Sequence, residues 1–256
     1  MTQSLGTTAA AWASARWIDT GGHSVRYREA GSGPTLVLIH GLGVSADYWV
    51  RNGPRIAAAG VRVIAPDLPG FGRTDGPEDG LSVIAQADAV RHWANAMELP
   101  RAVYLGHSLS CQTVLELAAH HPGMVAGVAL AAPTGDGPHR LLRQAIGLAR
   151  DVRRESVTLS ALVVQSYLRA GARRVFRTWS LGAEHDPLQL LPAIQAPGLV
   201  LLGSDDPVVD PAFAERIAAG LPNGRLVIIP GAAHAVIFEP TGAFNEAVVE
   251  FVKGVE

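Results

Sequence analysis

The chain has 256 residues, with 21 basic and 23 acidic side chains and a formal net charge of -2. A chain of this size buries roughly 70% of its extended-chain surface and needs no metal or disulfide staple, and 48% hydrophobic with 17% charged residues reads as globular. The balanced charge offers no field for nucleic acid or an anionic membrane, and the single Cys111 excludes a disulfide framework or a Cys-based metal cluster.

The elements follow in chain order. Thr8 to Ala13 is too short and too weakly apolar for a secretory signal, so a cytoplasmic protein is expected. Trp17–Asp19 and His23–Glu29 flank Gly21-Gly22 and read as a hairpin. Thr35–Ile39 is wholly apolar, as a strand buried on both faces requires, and it runs into His40-Gly41-Leu42-Gly43. A helix is expected over Tyr48–Ala59, stopped by Gly60. The strand Val61–Ala65 leads into a dense turn segment from Pro66 through Asp67 to Gly72. Helical spacing returns over Leu81–Leu99, with Ser82 as its N-cap.

Ala102–Leu105 is a third buried strand. Leu109–His120 is a helix closed by Pro122-Gly123, and Val125–Ala131 is a fourth strand. Gly198–Leu202 and Arg225–Ile229 are two more strands. A helix over Pro211–Gly220 lies between them, and an amphipathic helix over Thr241–Val252 ends the chain. Alternating strands and helices predict an α/β fold with a mostly parallel sheet flanked by helices. Pro133 to Pro197 breaks the rhythm, with helical patterns over Arg140–Val152, Ser156–Ala170 and Gly171–Trp179 but no strand. The expected organisation is a core of residues 1–132 and 197–256, with a helical cap insertion over 133–196. No run reaches the about eighteen apolar residues of a membrane span.

Gly106-His107-Ser108-Leu109-Ser110 sits between a buried strand and a helix. A sharp bend there lifts one side chain clear of the sheet and aims helix N–H groups at a developing anion. Crowding at such a turn demands small residues two positions either side of the nucleophile. Gly106 meets the demand; Ser110 is small but is not the usual Gly. A serine nucleophile needs a base, and the base an orienting carboxylate. Gly203-Ser204-Asp205-Asp206-Pro207, just past a buried strand, and Gly231-Ala232-Ala233-His234, in the loop after the next strand, supply them at strand carboxyl ends, where open α/β sheets bind ligands.

These segments, with His40 to Gly43 and Asp67 to Gly72, resemble the α/β-hydrolase family in family order over almost the whole chain. The resemblance implies Ser108 as nucleophile, His234 as general base and Asp206 as orienting acid. Asp206 stands three residues past the strand-end Gly203, which favours it over Asp205; Asp136, after the strand that follows the elbow helix, is the outside candidate. The resemblance also implies an oxyanion hole from the backbone N–H groups of Leu109 and of Leu42, with Gly43 as the lesser alternative to Leu42.

The remaining candidates have plainer readings. His40 is expected to stabilise its loop. His107 packs beside the elbow and, with Gly41, Gly43 and Trp179, is a candidate for the substrate pocket. Trp179, Tyr167, Leu162 and Phe176 are expected to pack the insertion onto the core, with some lining the cleft. Cys111 reads as an inert buried thiol, and Asp67 and Arg73 as parts of a structural turn. His120 and His121 read as surface residues, and His139 and His185 have no assigned place. The insertion holds nine Arg against five acids, and Arg150, Arg153 and Arg154, like Arg173, Arg174 and Arg177, read as solvated helix faces. No His pair has metal-ligand spacing with a third ligand nearby, so neither a metal nor another cofactor is expected.

The expected reaction is hydrolysis of a carboxylic ester, thioester or lactone through an acyl-enzyme, with a small molecule as the partner. Ser108 at the elbow argues against epoxide hydrolases and haloalkane dehalogenases, whose nucleophile is a carboxylate. The alternative is a carbon–carbon bond hydrolase of the meta-cleavage-product type. Those enzymes usually carry a longer glycine run after the oxyanion His-Gly and a Trp after the catalytic His, where this chain has Leu42-Gly43-Val44 and Ala235. A perhydrolase, another cofactor-free tailoring enzyme and a non-catalytic binder remain as further readings.

Overall fold

The computed structural model describes residues 10–12, 14–137, 147, 157–238 and 241–255. Eight strands form one sheet: β1 (Arg16–Asp19), β2 (Ser24–Ala30), β3 (Thr35–Ile39), β4 (Arg62–Pro66), β5 (Ala102–His107), β6 (Val125–Ala131), β7 (Gly198–Gly203) and β8 (Arg225–Ile229). Their spatial order is β1-β2-β4-β3-β5-β6-β7-β8. The β1–β2 and β2–β4 pairs are antiparallel, and every pair from β4 through β3 to β8 is parallel. Strands β3, β5 and β7 are buried along their whole length. That explains why their sequences show no polar alternation: helices cover both faces. Each fully buried Val, Leu or Ile contributes roughly 1.5–3 kcal/mol, so the central strands form a stiff platform for the loops at their carboxyl ends.

Flanking the sheet among the described residues are the helices α1 (Gly53–Ala58), α2 (Val83–Ala96), α3 (Ser110–His120), α4 (Val157–Ala170), α5 (Ala172–Glu184), α6 (Pro211–Gly220) and α7 (Thr241–Gly254). Helix α2 starts where its cap predicts, with the Ser82 side chain accepting from the Ala85 N–H. The helix expected over Tyr48–Ala59 is instead two pieces, a 3-10 turn over Ala46–Trp49 and the short α1. Pro54 is the reason. It has no N–H to donate backwards, so it belongs in the first turn of a new helix rather than the interior of a longer one.

Between β6 and β7 the described residues contain α4, α5 and a 3-10 segment over Pro187–Ala193. The pattern expected over Arg140–Val152 lies, apart from Gly147, outside the described residues, as does His139. Helix α5 runs on to Glu184, past the expected end at Trp179. Among the described residues no helix is long and apolar enough to cross a membrane.

Candidate active site

The turn after β5 is built by close packing. Any Cβ added at Gly106 would lie 2.4 Å from the Ser110 carbonyl oxygen and 2.8 Å from the Cys111 nitrogen. Only glycine lets β5 run this close to the first turn of α3. Ser108 sits at φ +55°, in the left-handed region that L side chains avoid. Its backbone holds it there: the Ser108 N–H donates to the Ala131 carbonyl at 2.9 Å, and its carbonyl accepts from the Cys111 N–H at 3.1 Å. The side chain consequently stands off the sheet, and α3 points its N-terminus at the same place.

Three loops converge on that side chain. His234, in the loop after β8, places Nε2 3.0 Å from Ser108 Oγ. Its Nδ1 lies 3.0 Å from Asp206 Oδ2, in the loop after β7. Asp206 also accepts from the Val208 and Val209 N–H groups through Oδ1, at 2.7 and 3.1 Å. Burial alone would push the Asp206 carboxyl up. The neighbouring His234 and the three hydrogen bonds outweigh it and hold the group below the usual carboxylate range. Asp205, one residue earlier, is exposed and accepts from the Ser204 hydroxyl instead.

The fourth loop, His40 to Gly43, lies beside the elbow: a Cβ on Gly41 would lie 2.9 Å from His107 Nδ1 and 3.7 Å from Ser108 Cβ. Among the described residues the N–H groups of Leu42 and Leu109 have no backbone acceptor. The His40 ring braces the loop from inside. Its Nδ1 donates to the Gly41 carbonyl at 2.8 Å, and its Nε2 accepts from the Leu68 N–H at 2.9 Å. His107 donates from Nε2 to the His234 carbonyl at 3.1 Å, and its rim meets Tyr48 and His234. Its Nδ1 is buried without a partner among the described residues. Burial, then the nearby His234, lower its pKa to about 3, so the ring is neutral.

The inserted helices reach this site at identifiable points. Gly43, at φ +77°, leaves room for the Tyr167 ring of α4, whose Cε2 would lie 2.5 Å from any added Cβ. Gly182 of α5 does the same for Leu109 Cδ1, at 2.3 Å from the position of an added Cβ. A glycine inside a helix is the signal that sequence reading passed over there. Trp179 stands one turn before Gly182 and packs edge-on against Phe176 at 6.3 Å between centroids.

Arg174 is not a solvated helix residue. It donates to the Gly70, Gly76 and Pro77 carbonyls at 2.7, 3.2 and 2.9 Å, tying α5 to the turn after β4. His185, at the end of α5, bonds Gln112 Oε1 at 2.8 Å and Glu116 Oε1 at 2.7 Å on α3. Cys111 is buried on α3 and its thiol is pushed well up by burial, which leaves it a poor nucleophile.

Comparison with known proteins agrees with this architecture. The family model described as "Alpha/beta hydrolase family" matches residues 36–247. A 2-hydroxy-6-oxo-6-phenylhexa-2,4-dienoate hydrolase of Burkholderia cepacia is 26% identical over 89% of this chain and 91% of its own. A pimeloyl-[acyl-carrier protein] methyl ester esterase of Edwardsiella ictaluri is 29% identical over 86% of this chain and 93% of its own. The solved structure of an esterase from Exiguobacterium antarcticum superposes with a TM-score of 0.82 over 94% of this chain and 100% of that one; at 18% identity the likeness is one of fold.

Proposed function

The chain belongs to the alpha/beta hydrolase family, and from that premise we propose that it is a serine hydrolase cleaving a carboxylic ester, thioester or lactone. One observation carries the reading: the unbroken hydrogen-bonded path from Ser108 Oγ through His234 to Asp206, with 3.0 Å at each link. An ionised Asp206 only accepts, so Nδ1 of His234 carries its proton and Nε2 turns a lone pair to the serine hydroxyl. As Oγ attacks the substrate carbonyl, its proton passes to Nε2, and Asp206 stabilises the imidazolium. The N–H groups of Leu42 and Leu109 receive the oxyanion. The imidazolium then protonates the leaving group, and a water activated by His234 releases the acyl group.

In this reading α4 and α5 cap the cleft, and Gly41, Gly43, His107 and Trp179 line the acyl pocket. The partner is a small molecule, no cofactor takes part, and the protein works in the cytoplasm. The methyl ester esterase among the relatives supports an ester substrate. The dienoate hydrolase supports the second reading, carbon–carbon cleavage with the same three side chains.

The test is release of nitrophenol from p-nitrophenyl esters of acetyl to decanoyl chains. Wild type should turn over at least one of them, and Ser108→Ala should fall about a thousand-fold or more in kcat. Asp206→Asn should lose about 10³–10⁴-fold, while Asp205→Asn stays near wild type. Equal background rates for wild type and Ser108→Ala would overturn the ester reading. Turnover of a 2-hydroxy-6-oxo dienoate, followed by loss of its absorbance, would then favour the second. A larger loss at Asp205 than at Asp206 would overturn the choice of acid.

A further inference from the structure

Ser110 stands where the elbow pattern usually has glycine, and it is 1% exposed. A buried hydroxyl needs an acceptor. Its partner is the backbone carbonyl of His40, at 2.5 Å, in a loop seventy residues earlier in the chain. That carbonyl belongs to the first peptide of the His40 to Gly43 loop. The next carbonyl, that of Gly41, is held by His40 Nδ1, while His40 Nε2 is fixed by the Leu68 N–H.

A trans peptide is planar, and its C=O and N–H point in opposite directions. Pinning the Gly41 carbonyl towards the His40 ring therefore turns the Leu42 N–H the other way. Pinning the His40 carbonyl to Ser110 fixes the plane before it. Ser110 is also the residue next to Leu109. Its hydroxyl thus ties the elbow, which carries one candidate oxyanion donor, to the loop that carries the other.

We propose that Ser110 is a positioning residue whose hydroxyl, through the His40 carbonyl, sets the gap between the Leu42 and Leu109 N–H groups. The inference rests on the oxyanion assignment made under the proposed function. A small widening of that gap weakens both bonds to the transition-state oxygen while leaving the ground-state carbonyl little affected, so the effect belongs in kcat.

The experiment compares wild type, Ser110→Ala, Ser110→Gly and Ser110→Thr on the best p-nitrophenyl ester, with rates normalised to active sites titrated by a fluorophosphonate. Ser110→Ala and Ser110→Gly should lose about tenfold or more in kcat with KM within about twofold. Their inhibition constant for a trifluoromethyl ketone, which forms the oxyanion on binding, should rise by a similar factor. Ser110→Thr, which keeps the hydroxyl, should recover most of the rate. Having two hydroxyl-free variants keeps the test open if one folds poorly, and titration removes unfolded protein from the rate. A kcat per titrated site equal to wild type in Ser110→Ala or Ser110→Gly overturns the proposal alone. A wild type that neither hydrolyses any ester nor titrates overturns the ester reading, and the proposal with it.

Discussion

His107 shows how a residue can serve the site without acting in it. Its Nε2 holds the His234 carbonyl, its ring stands between Tyr48 and His234, and burial keeps it neutral with a pKa near 3. The unfolded chain protonates an ordinary histidine near 6.5. Between those values the unfolded state binds a proton that the folded state refuses. The stability tied to the neutral ring is therefore complete above pH 6.5 and is lost progressively as pH falls towards 3, at about 1.4 kcal/mol per pH unit. Buried His40, also shifted down, acts in the same direction. Urea midpoints measured from pH 7.5 to 4.5 should fall more steeply for wild type than for His107→Gln, whose amide can still donate to the His234 carbonyl. Parallel curves would show that His107 is not a source of the acid sensitivity.

Asp67 governs a larger unit, the turn between β4 and α2. Its carboxylate is fully buried and accepts from the Arg26 guanidinium at 3.0 Å, the Ala46 N–H at 2.7 Å and the Arg73 N–H at 2.9 Å. Arg26 is itself buried and shared with Asp47. Replacing Asp67 with Ala leaves a buried guanidinium short of its partner and two N–H groups without an acceptor, so chemical denaturation should show a loss of about 3–5 kcal/mol. Asp67→Asn, which keeps an acceptor, should lose less. A change below 1 kcal/mol in Asp67→Ala would mean water replaces the carboxylate, contrary to its burial.

The sequence marked this turn as structural from its Gly and Pro content, but not as an ion-pair hub. Arg26 lies on β2 and Asp67 in the turn after β4, and no local spacing joins them. The same limit separates what was legible at the candidate site from what was not. Ser108, Asp206 and His234 each follow an apolar strand and sit among small residues, a signal carried by neighbours in the chain. The bond from Ser110 to His40, the seat of Tyr167 on Gly43 and the grip of Arg174 on three carbonyls join distant segments, and a carbonyl acceptor leaves no mark in a sequence. The helix expected over Tyr48–Ala59 divides for a local reason, since Pro54 marks the start of a new helix in the sequence itself.

At the scale of the molecule, two kinds of structure meet at the loops after β3 and β5. The sheet is held by strands buried on both faces, and its carboxyl ends present Ser108, His234 and Asp206. Helices α4 and α5 have no place in the sheet; among the described residues they reach the core through Tyr167 against Gly43, Gly182 against Leu109, Thr178 against Gly80, His185 with Gln112 and Glu116, Arg173 with Asp79 and Arg174 with the turn after β4, while of α5 only Thr178, Gly182 and Ala183 are buried. Local stability is set by the number and burial of such contacts, so these helices should open more readily than the core. Arg174 is the test case, because its bonds to the Gly70, Gly76 and Pro77 carbonyls reach across to the core turn. Hydrogen bonds from a charged donor are worth about 1.5–3 kcal/mol each when lost. Partial replacement by water at this half-buried position reduces the sum. Arg174→Ala should therefore raise amide exchange across α5 by one to two orders of magnitude, about 1.4–2.7 kcal/mol of opening free energy, while β5 and β6 exchange as in wild type. If α4 and α5 close the acyl pocket, the same variant should raise KM for long-chain esters more than for acetate. Unchanged exchange in α5 would assign the hold to the His185 and Gly182 contacts instead. Faster exchange spreading into β5 would mean that the inserted helices and the sheet unfold as one unit.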